Sequence, residues 1–212
     1  MTTATVPQRT VTPIWPTPVY TADFDDAEEF NPQLRELILA AQAAQEKPVI
    51  LPGGIDARKS SEDILTWDHP AVDWLRGKIM GAVTAMATDM LGAAAQDITA
   101  RPLAEGWAVT YIKGASLRPH THHSTSIAGV YYIDPGTGHG GGDPGFLQLW
   151  DPRSTAIARG VSPGPIRIQP VAGRMVAFPG WLIHQVRATA SEERLRICVA
   201  WNVSYTAGGG MR

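Results

Sequence analysis

The sequence predicts a mainly β fold, and three observations support this prediction. From about residue 98 onward, short apolar segments are separated by turns that contain Gly or Pro, with no helical segment between them. Gly (21 residues) and Pro (17 residues) are frequent, which favours a turn-rich fold over a helix bundle. Apolar residues at helical spacing form two segments, both before residue 93. We therefore expect an antiparallel sandwich or barrel, with two helices packed on the outside of one sheet.

The first half of the chain is expected to support this β region. The apolar segment 13–20 contains three prolines, so we expect at best an edge strand there. Asn31-Pro32 is a favourable helix start and predicts a first helix over residues 32–46. The connection 47–69 shows no regular pattern. Pro70 begins a second helix that ends near Gly92, and its apolar face is formed by Val72, Leu75, Ile79, Val83, Met86 and Met90.

The second half of the chain contains six segments with the composition of short strands. They cover residues 107–112, 126–133, 146–150, 166–169, 175–178 and 195–203. Such strands can form a jelly-roll barrel that is open at one end. We predict a single domain over residues 1–212, in which residues 1–97 support a jelly-roll core formed by residues 98–205.

The composition argues against several classes of function. A net charge of −2 gives no electrostatic reason to expect nucleic acid or an anionic membrane as a partner. No apolar run approaches the ~20 residues that span a bilayer, and the first nine residues lack the apolar region of a signal peptide. The single cysteine, Cys198, excludes an internal disulfide and fits a reducing compartment, so we expect a cytoplasmic location. The sequence leaves open whether the chain forms a homodimer.

Histidines indicate a metal centre. Three of the six, His120, His122 and His123, lie within four positions just before a predicted strand. On an extended chain His120 and His122 share one side, while His123 points the other way. A third imidazole from His184, next to another strand, could close one face around a metal ion, and imidazole suits iron, zinc, copper or nickel. Asp151 is an alternative third ligand, since iron sites of this kind usually combine two histidines with a carboxylate.

A candidate anion-binding residue follows this centre. Arg196 lies twelve residues after His184 in an apolar strand, where its guanidinium could hold a carboxylate by two parallel hydrogen bonds. Arg194 lies on the same strand face, so the two arginines are not both expected to be buried. A metal together with a buried cation at this spacing indicates an iron(II) enzyme that uses 2-oxoglutarate. Cys198 is expected to be a core residue, since nothing in the sequence activates it.

Several motifs in the chain resemble one family of enzymes. The closing half resembles a 2-oxoglutarate/Fe(II)-dependent oxygenase, and more narrowly the chain resembles a bacterial and phage group of such oxygenases with an H-x-H signature. It is similar, more distantly, to prolyl hydroxylases. The segments that carry the resemblance are Ile14–Tyr20, Pro119–His122, Ala128–Ile133, Asp151–Arg153, Gly173–Pro179, His184 and Arg196–Asn202.

The resemblance implies a double-stranded β-helix with helices packed on one sheet. It implies that His120 and His184 are the two ligating histidines of the family. His122 stands where the prolyl hydroxylases carry an aspartate, which is the main departure from their pattern. Three neutral imidazoles would leave the charge of the metal uncompensated, and they should alter its Lewis acidity and redox behaviour.

The resemblance also implies a co-substrate site. Arg196 matches the arginine that binds the distal carboxylate of 2-oxoglutarate, in an Arg-x-Ser pattern whose serine is Cys198 here. Because this change weakens one expected contact with the carboxylate, we expect Tyr111 or Tyr131 to supply a second one. The tryptophans expected to form barrel walls, with a place in the core as the alternative for each, are Trp107, Trp150, Trp181 and Trp201.

The expected function is therefore that of an Fe(II)- and 2-oxoglutarate-dependent oxygenase. It would use O2 to hydroxylate a small molecule or a protein side chain and would release succinate and CO2. One alternative is a three-histidine metal dioxygenase that needs no 2-oxoglutarate, and another is a non-catalytic, cupin-like metal-binding protein. The G-x-G-x-x-G match at residues 136–141 does not indicate a dinucleotide site, because a turn and a strand follow it instead of a helix.

Overall fold

The computed structural model describes residues 16–60, 63–92, 95, 101–136, 143–153, 159–160, 164–190 and 194–206. The predictions for residues 1–15 and for the loop around His139 lie outside the described residues. The described elements are ten β-strands, two α-helices and a short 3-10 helix at Ile64–Thr66. In chain order they are β1 Tyr20–Asp23, α1 Ala27–Ala43, β2 Val49–Ile50, β3 Gly54–Lys59, α2 Pro70–Leu91, β4 Arg101–His120, β5 Ile127–Asp134, β6 Leu147–Leu149, β7 Ile166–Ile168, β8 Arg174–Pro179, β9 His184–Val186 and β10 Arg196–Thr206.

The strands form one strongly curled antiparallel sheet. Its order is β1-β8-β5-β10-β4-β9-β6-β7, and the β2–β3 hairpin pairs with the side of β4. The 20-residue strand β4 pairs with β10 along its first half and with β9 at its end, where His120 lies opposite His184. Because one strand takes part in both halves of the sheet, the sheet closes into a double-stranded β-helix. The predicted mainly β, jelly-roll fold is confirmed.

Alternation along β10 separates two apolar clusters. Ile197, Val199 and Trp201 point outward and pack against the helices, whereas Cys198 and Ala200 point into the barrel. The outer cluster includes these residues of α1 and α2: Leu34, Ile38, Val72, Leu75, Ile79, Val83 and Met86. The predicted packing of two helices on the outside of one sheet is therefore observed. The inner cluster lines the cavity described below.

A glycine on β5 allows the tightest of these outer contacts. The indole ring of Trp201 is fully buried and lies against Gly129. A Cβ atom at Gly129 would lie 2.2 Å from an indole carbon, so any side chain there would force the ring to move. Close packing of sheet and helices thus depends on the absence of a side chain at this position.

The first helix differs from its prediction. It begins at Ala27, not at residue 32, and it ends at Ala43, not at residue 46. Asn31 does not cap it, because the Asn31 side chain accepts a 2.6 Å hydrogen bond from the hydroxyl of Tyr131. Pro32 lies inside the helix. The Asn-Pro pair resembles a helix start, but the Asn31 side chain serves a tertiary contact between helix and sheet and does not mark the start of the helix.

The second helix agrees with its prediction at both ends. His69 Nδ1 accepts a hydrogen bond from the backbone N–H of Ala71 at 3.1 Å, so it is the N-cap, and Pro70 is the first helical residue. Gly92 ends the helix with a positive φ of 56°. The connection 47–69 was predicted to be irregular, but it forms the β2–β3 hairpin and the 3-10 helix. In the part of the chain that the structure describes, neither helix has the length and apolar character needed to cross a bilayer.

Candidate metal and co-substrate site

Three histidine side chains meet at the open end of the barrel. Potential ligand atoms of His120, His122 and His184 all lie within 4.8 Å of one another. His120 ends β4, His184 begins β9, and these two residues face each other in the sheet register. His122 lies in the turn after β4, where its N–H donates to the carbonyl of Gly180 at 2.7 Å. A Cβ at Gly180 would approach the carbonyl of His122 to 2.9 Å, so the glycine permits this close approach.

Backbone carbonyls orient two of the three imidazoles. The Nδ1–H of His120 donates to the carbonyl of Arg118 at 2.9 Å, and the Nδ1–H of His184 donates to the carbonyl of Leu182 at 2.9 Å. This arrangement fixes the tautomer and leaves Nε2 of each ring as the lone-pair donor for a metal. The centroids of the two rings are 4.1 Å apart, and the ring of His122 is 5.2 Å from that of His120.

The imidazoles are neutral at ordinary pH because they are buried. Burial, helped by the charge of the nearby His120, lowers the pKa of His184 to about 3. Burial and the charge of His120 also lower the pKa of His122 to about 4. A neutral imidazole is the form that binds a metal, so no proton has to leave at pH 7. The donor set is chemically suited to iron, and equally to other imidazole-binding metals.

The alternative carboxylate ligand lies elsewhere. Both oxygens of Asp151 bind the guanidinium of Arg153, at 2.9 and 2.7 Å. Within the described residues, the three histidines form the one group of three or more potential ligands that could surround a metal, and it contains no carboxylate. The ring of His123 hydrogen-bonds to the hydroxyl of Thr121, outside this group.

Arg196 lies in the same cavity as the three histidines. It is 2% exposed, and its guanidinium carbon lies 4.4 Å from the ring centre of Tyr111 and 5.2 Å from that of Tyr132. Among the described residues, its Nε and Nη1 atoms have no hydrogen-bond partner, and neither does the buried hydroxyl of Tyr132. A buried cation with unpaired donors is suited to a carboxylate ligand, and the distal carboxylate of 2-oxoglutarate would supply one.

Arg194 and Arg196 lie on different sides of the point where β10 begins. Arg194 precedes the strand, and its side chain is 58% exposed and pairs with Asp134 at 2.8 Å. Only Arg196 is inside the barrel. Cys198, two residues further on, lines the same cavity and is buried, as expected of a core residue.

Tyr131 does not reach this cavity, contrary to the expectation that it could contact the co-substrate. It points to the opposite face of β5, where its ring packs against Trp74 and its hydroxyl bonds to Asn31. Successive residues of a strand face opposite sides, so the neighbouring Tyr132 takes the inward position. Burial raises the pKa of Tyr132 to about 12, which keeps its hydroxyl protonated and able to donate. Tyr111 lines the cavity, where the sequence analysis placed it.

The remaining cavity wall is mostly apolar. The cavity has a volume of about 240 Å³, and its apolar wall includes Leu51, Leu117, Ala128, Val130, Leu147, Phe178 and Val186. Trp107 lies beside His122, with ring centroids 6.2 Å apart, and the ammonium of Lys59 lies 4.8 Å from the centre of the indole. The other tryptophans predicted as walls, Trp150, Trp181 and Trp201, are not among the residues that line it. Trp201 faces the helices and Trp181 is half exposed. Sequence patterns did not indicate Lys59, because the β2–β3 hairpin that carries it was not predicted.

A comparison with protein families identifies the β core. Residues 105–202, just under half of the chain, match the family described as "Putative 2OG-Fe(II) oxygenase". This stretch contains all three clustered histidines and Arg196. Residues 105–202 therefore match the family of 2-oxoglutarate and Fe(II)-dependent oxygenases. Members of this family are enzymes whose metal is Fe(II) and whose co-substrates are 2-oxoglutarate and O2. Comparison with curated protein sequences gives no match.

Solved structures of prolyl hydroxylases share the fold. A prolyl-4-hydroxylase from Pseudomonas putida is 16% identical, with a TM-score of 0.65 over 89% of this chain and 93% of that chain. A Trichoplax adhaerens prolyl hydroxylase, in complex with a hypoxia inducible factor peptide fragment, is 11% identical, with a TM-score of 0.62 over 88% of this chain and 83% of that chain. A viral collagen prolyl hydroxylase from Paramecium Bursaria Chlorella virus-1, a 2-oxoglutarate complex, is 14% identical, with a TM-score of 0.51 over 88% and 96%. At these identities the likeness concerns the double-stranded β-helix alone.

Proposed function

We propose that the chain is an oxygenase in which His120, His122 and His184 hold Fe(II) and Arg196 binds the distal carboxylate of 2-oxoglutarate. One observation carries this proposal: three neutral imidazoles and a buried guanidinium with two unbonded nitrogen atoms line the same cavity. A three-histidine dioxygenase that needs no 2-oxoglutarate would leave the charge of Arg196 buried without an anionic partner, which is unfavourable. The geometry therefore favours the 2-oxoglutarate-dependent reaction over that alternative.

The protein residues bind and orient the reactants. When bound, Fe(II) supplies the activation of O2 that couples decarboxylation of 2-oxoglutarate to hydroxylation of a substrate. Arg196 fixes the far end of the co-substrate, and the buried hydroxyl of Tyr132, which lines the same cavity without a partner among the described residues, is expected to donate a further hydrogen bond to the same carboxylate. This donor replaces the contact that the family's serine would make at the position of Cys198. The apolar wall around these groups keeps water from the reacting atoms.

The all-histidine donor set has a thermodynamic consequence. Three neutral ligands leave the 2+ charge of the metal uncompensated, whereas a set with one carboxylate would cancel half of it. The negative charge of 2-oxoglutarate therefore contributes more here to the charge balance of the site. We expect metal and co-substrate to bind cooperatively, each raising the affinity for the other by the same factor.

The substrate is proposed to be a small molecule or a single protein side chain. A cavity of about 240 Å³ that must also hold 2-oxoglutarate leaves little space beside the metal. The polar groups not assigned to the metal or the co-substrate include Lys59 and the indole N–H of Trp107. A cytoplasmic location remains a prediction from the sequence, as does the division into supporting residues 1–97 and a core of residues 98–205, and the sequence leaves the oligomeric state open.

The proposal can be tested by anaerobic titration of iron-loaded protein with 2-oxoglutarate. We expect the weak visible charge-transfer band of the chelate in the unmodified protein and its loss in His122→Ala. His123→Ala is the matched control, because the neighbouring ring lies outside the cluster, and it should retain the band. Absence of the band from unmodified protein that demonstrably holds iron would eliminate 2-oxoglutarate as the co-substrate. Oxygen consumption without 2-oxoglutarate would then favour the three-histidine dioxygenase.

A further inference from the structure

Asn202 occupies a buried polar position beside the metal cluster. It lies on β10 at an even number of residues from Arg196 and Cys198, so it shares their inward strand face. The residue is 7% exposed and lies opposite Glu105 of β4 in the sheet register. Its Nδ2 donates a hydrogen bond to Oε1 of Glu105 at 3.2 Å. A carboxylate can only accept, so this contact fixes which end of the amide is nitrogen.

The other end of the amide lies on the His122 side of the sheet, because Asn202 is the diagonal neighbour of Trp107 in the β4–β10 pairing and the indole of Trp107 stacks on the His122 ring. The Oδ1 atom of Asn202 is buried and, among the described residues, makes no hydrogen bond. The nearby amide of Asn202 also raises the pKa of the His122 ring, against the larger lowering by burial and by His120. An unbonded, buried acceptor near an imidazole matches what a metal-bound histidine requires, because the ring nitrogen that does not bind the metal carries an N–H.

His122 differs from the other two histidines in how it is held. The rings of His120 and His184 each bond to a backbone carbonyl two residues earlier. In the described part of the chain, the ring of His122 has no such carbonyl, and its own carbonyl accepts from Thr125. His122 also has no strand geometry to fix its direction, because it lies in a turn. Its orientation therefore depends on side chains.

We infer that Asn202 is a positioning residue that orients His122 toward the metal through Oδ1, with Glu105 fixing the amide. This inference rests on the proposed function, in which His122 is a metal ligand. Accepting the ring N–H makes the imidazole a stronger donor to the metal, and the charge of Glu105 polarises the amide in the same direction. The chain Glu105–Asn202–His122 would thus return to the site part of the negative charge that a carboxylate ligand supplies in prolyl hydroxylase-like sites.

The test is the affinity of metal-free protein for Co(II), a spectroscopic stand-in for Fe(II), followed through the visible absorption of the bound ion. Asn202→Leu preserves the size and removes the acceptor, and it should weaken Co(II) binding by about 10- to 100-fold. Glu105→Gln keeps the acceptor and removes the charge, so a smaller loss in the same direction is expected. Thermal denaturation of the metal-free variants shows whether each is folded. Glu105 is exposed, so its variant is expected to fold even if Asn202→Leu does not.

A double-mutant cycle separates positioning from a general structural effect. If Asn202 acts through His122, then Asn202→Leu should cause no further loss of Co(II) affinity in a His122→Ala background. An equal loss in both backgrounds, or unchanged affinity in folded Asn202→Leu, would overturn the inference. Unchanged affinity in Glu105→Gln would remove Glu105 from it. Failure of the unmodified protein to bind Co(II) would instead contradict the proposed metal site itself, and the inference with it.

Discussion

Replacing Arg196 with methionine should change stability and co-substrate binding in opposite directions. In the ligand-free protein two of its buried nitrogen atoms lack partners, and each such group costs about 1–3 kcal/mol. Contacts with the rings of Tyr111 and Tyr132 offset this by about 0.5–2 kcal/mol each. With both ranges taken at their midpoints, the guanidinium carries a net cost of about 1–2 kcal/mol. Ligand-free Arg196→Met should melt no lower than the unmodified protein, and up to about 8 °C higher.

The affinity for 2-oxoglutarate should be lower in the same variant, Arg196→Met. Removal of one partner of a buried charge pair costs about 2–5 kcal/mol, which weakens binding about 30-fold to a few thousand-fold. The measurement is the anaerobic titration of iron-loaded protein, with Arg194→Met as the control, because Arg194 is exposed and pairs with Asp134. Undiminished affinity in Arg196→Met, or a comparable loss in Arg194→Met, would refute the assignment of the carboxylate to Arg196.

Three further outcomes test other parts of the structure. Burial holds the pKa of His184 at about 3, below the 6.5 of an unperturbed histidine, so between these values the unfolded chain binds more protons. Metal-free protein should therefore lose thermal stability as the pH falls from 7 toward 5, and His184→Gln should flatten that slope; a pH-independent melting temperature would contradict the burial. Tyr132→Phe should weaken 2-oxoglutarate binding and Tyr131→Phe should not. Weaker binding in Tyr131→Phe, with undiminished binding in Tyr132→Phe, would contradict the assignment of the donor to Tyr132. Gly129→Ala should lower the free energy of unfolding by about 1–3 kcal/mol, whereas Gly77→Ala, whose Cβ meets nothing within 4 Å, should not lower it.

Local patterns in the sequence were sufficient for the fold class and for the histidine cluster. The period of the apolar residues predicted α2 and the strands, and the His120-x-His122 spacing with a distant His184 predicted three imidazoles that the structure brings together. These features depend on residues near one another or on a rare residue type. Both kinds of signal can be recognised in the sequence without knowledge of the tertiary structure.

Features that depend on strand register or strand limits were not predictable. All but one of the residues of β5 are buried, so no polar alternation shows which of Tyr131 and Tyr132 faces inward. Arg194 and Arg196 have the same parity, and only the start of β10 separates them. Asn202 gave no signal, because its importance arises from a cross-strand partner 97 residues away.

The packing of α1 and α2 on the outer face of the sheet implies that the smallest catalytic fragment and the smallest autonomously folding unit are different stretches of the chain. Residues 105–202 contain every group proposed to touch iron or 2-oxoglutarate. Yet the outer face of that stretch, with Tyr131 and Trp201, is covered by residues 27–91. A fragment cut just before Arg101 would expose this apolar face to water and is expected to aggregate before it could bind either reactant. The proposed chemistry is recognisable from one half of the sequence, but that half is expected to depend on the other half for its solubility.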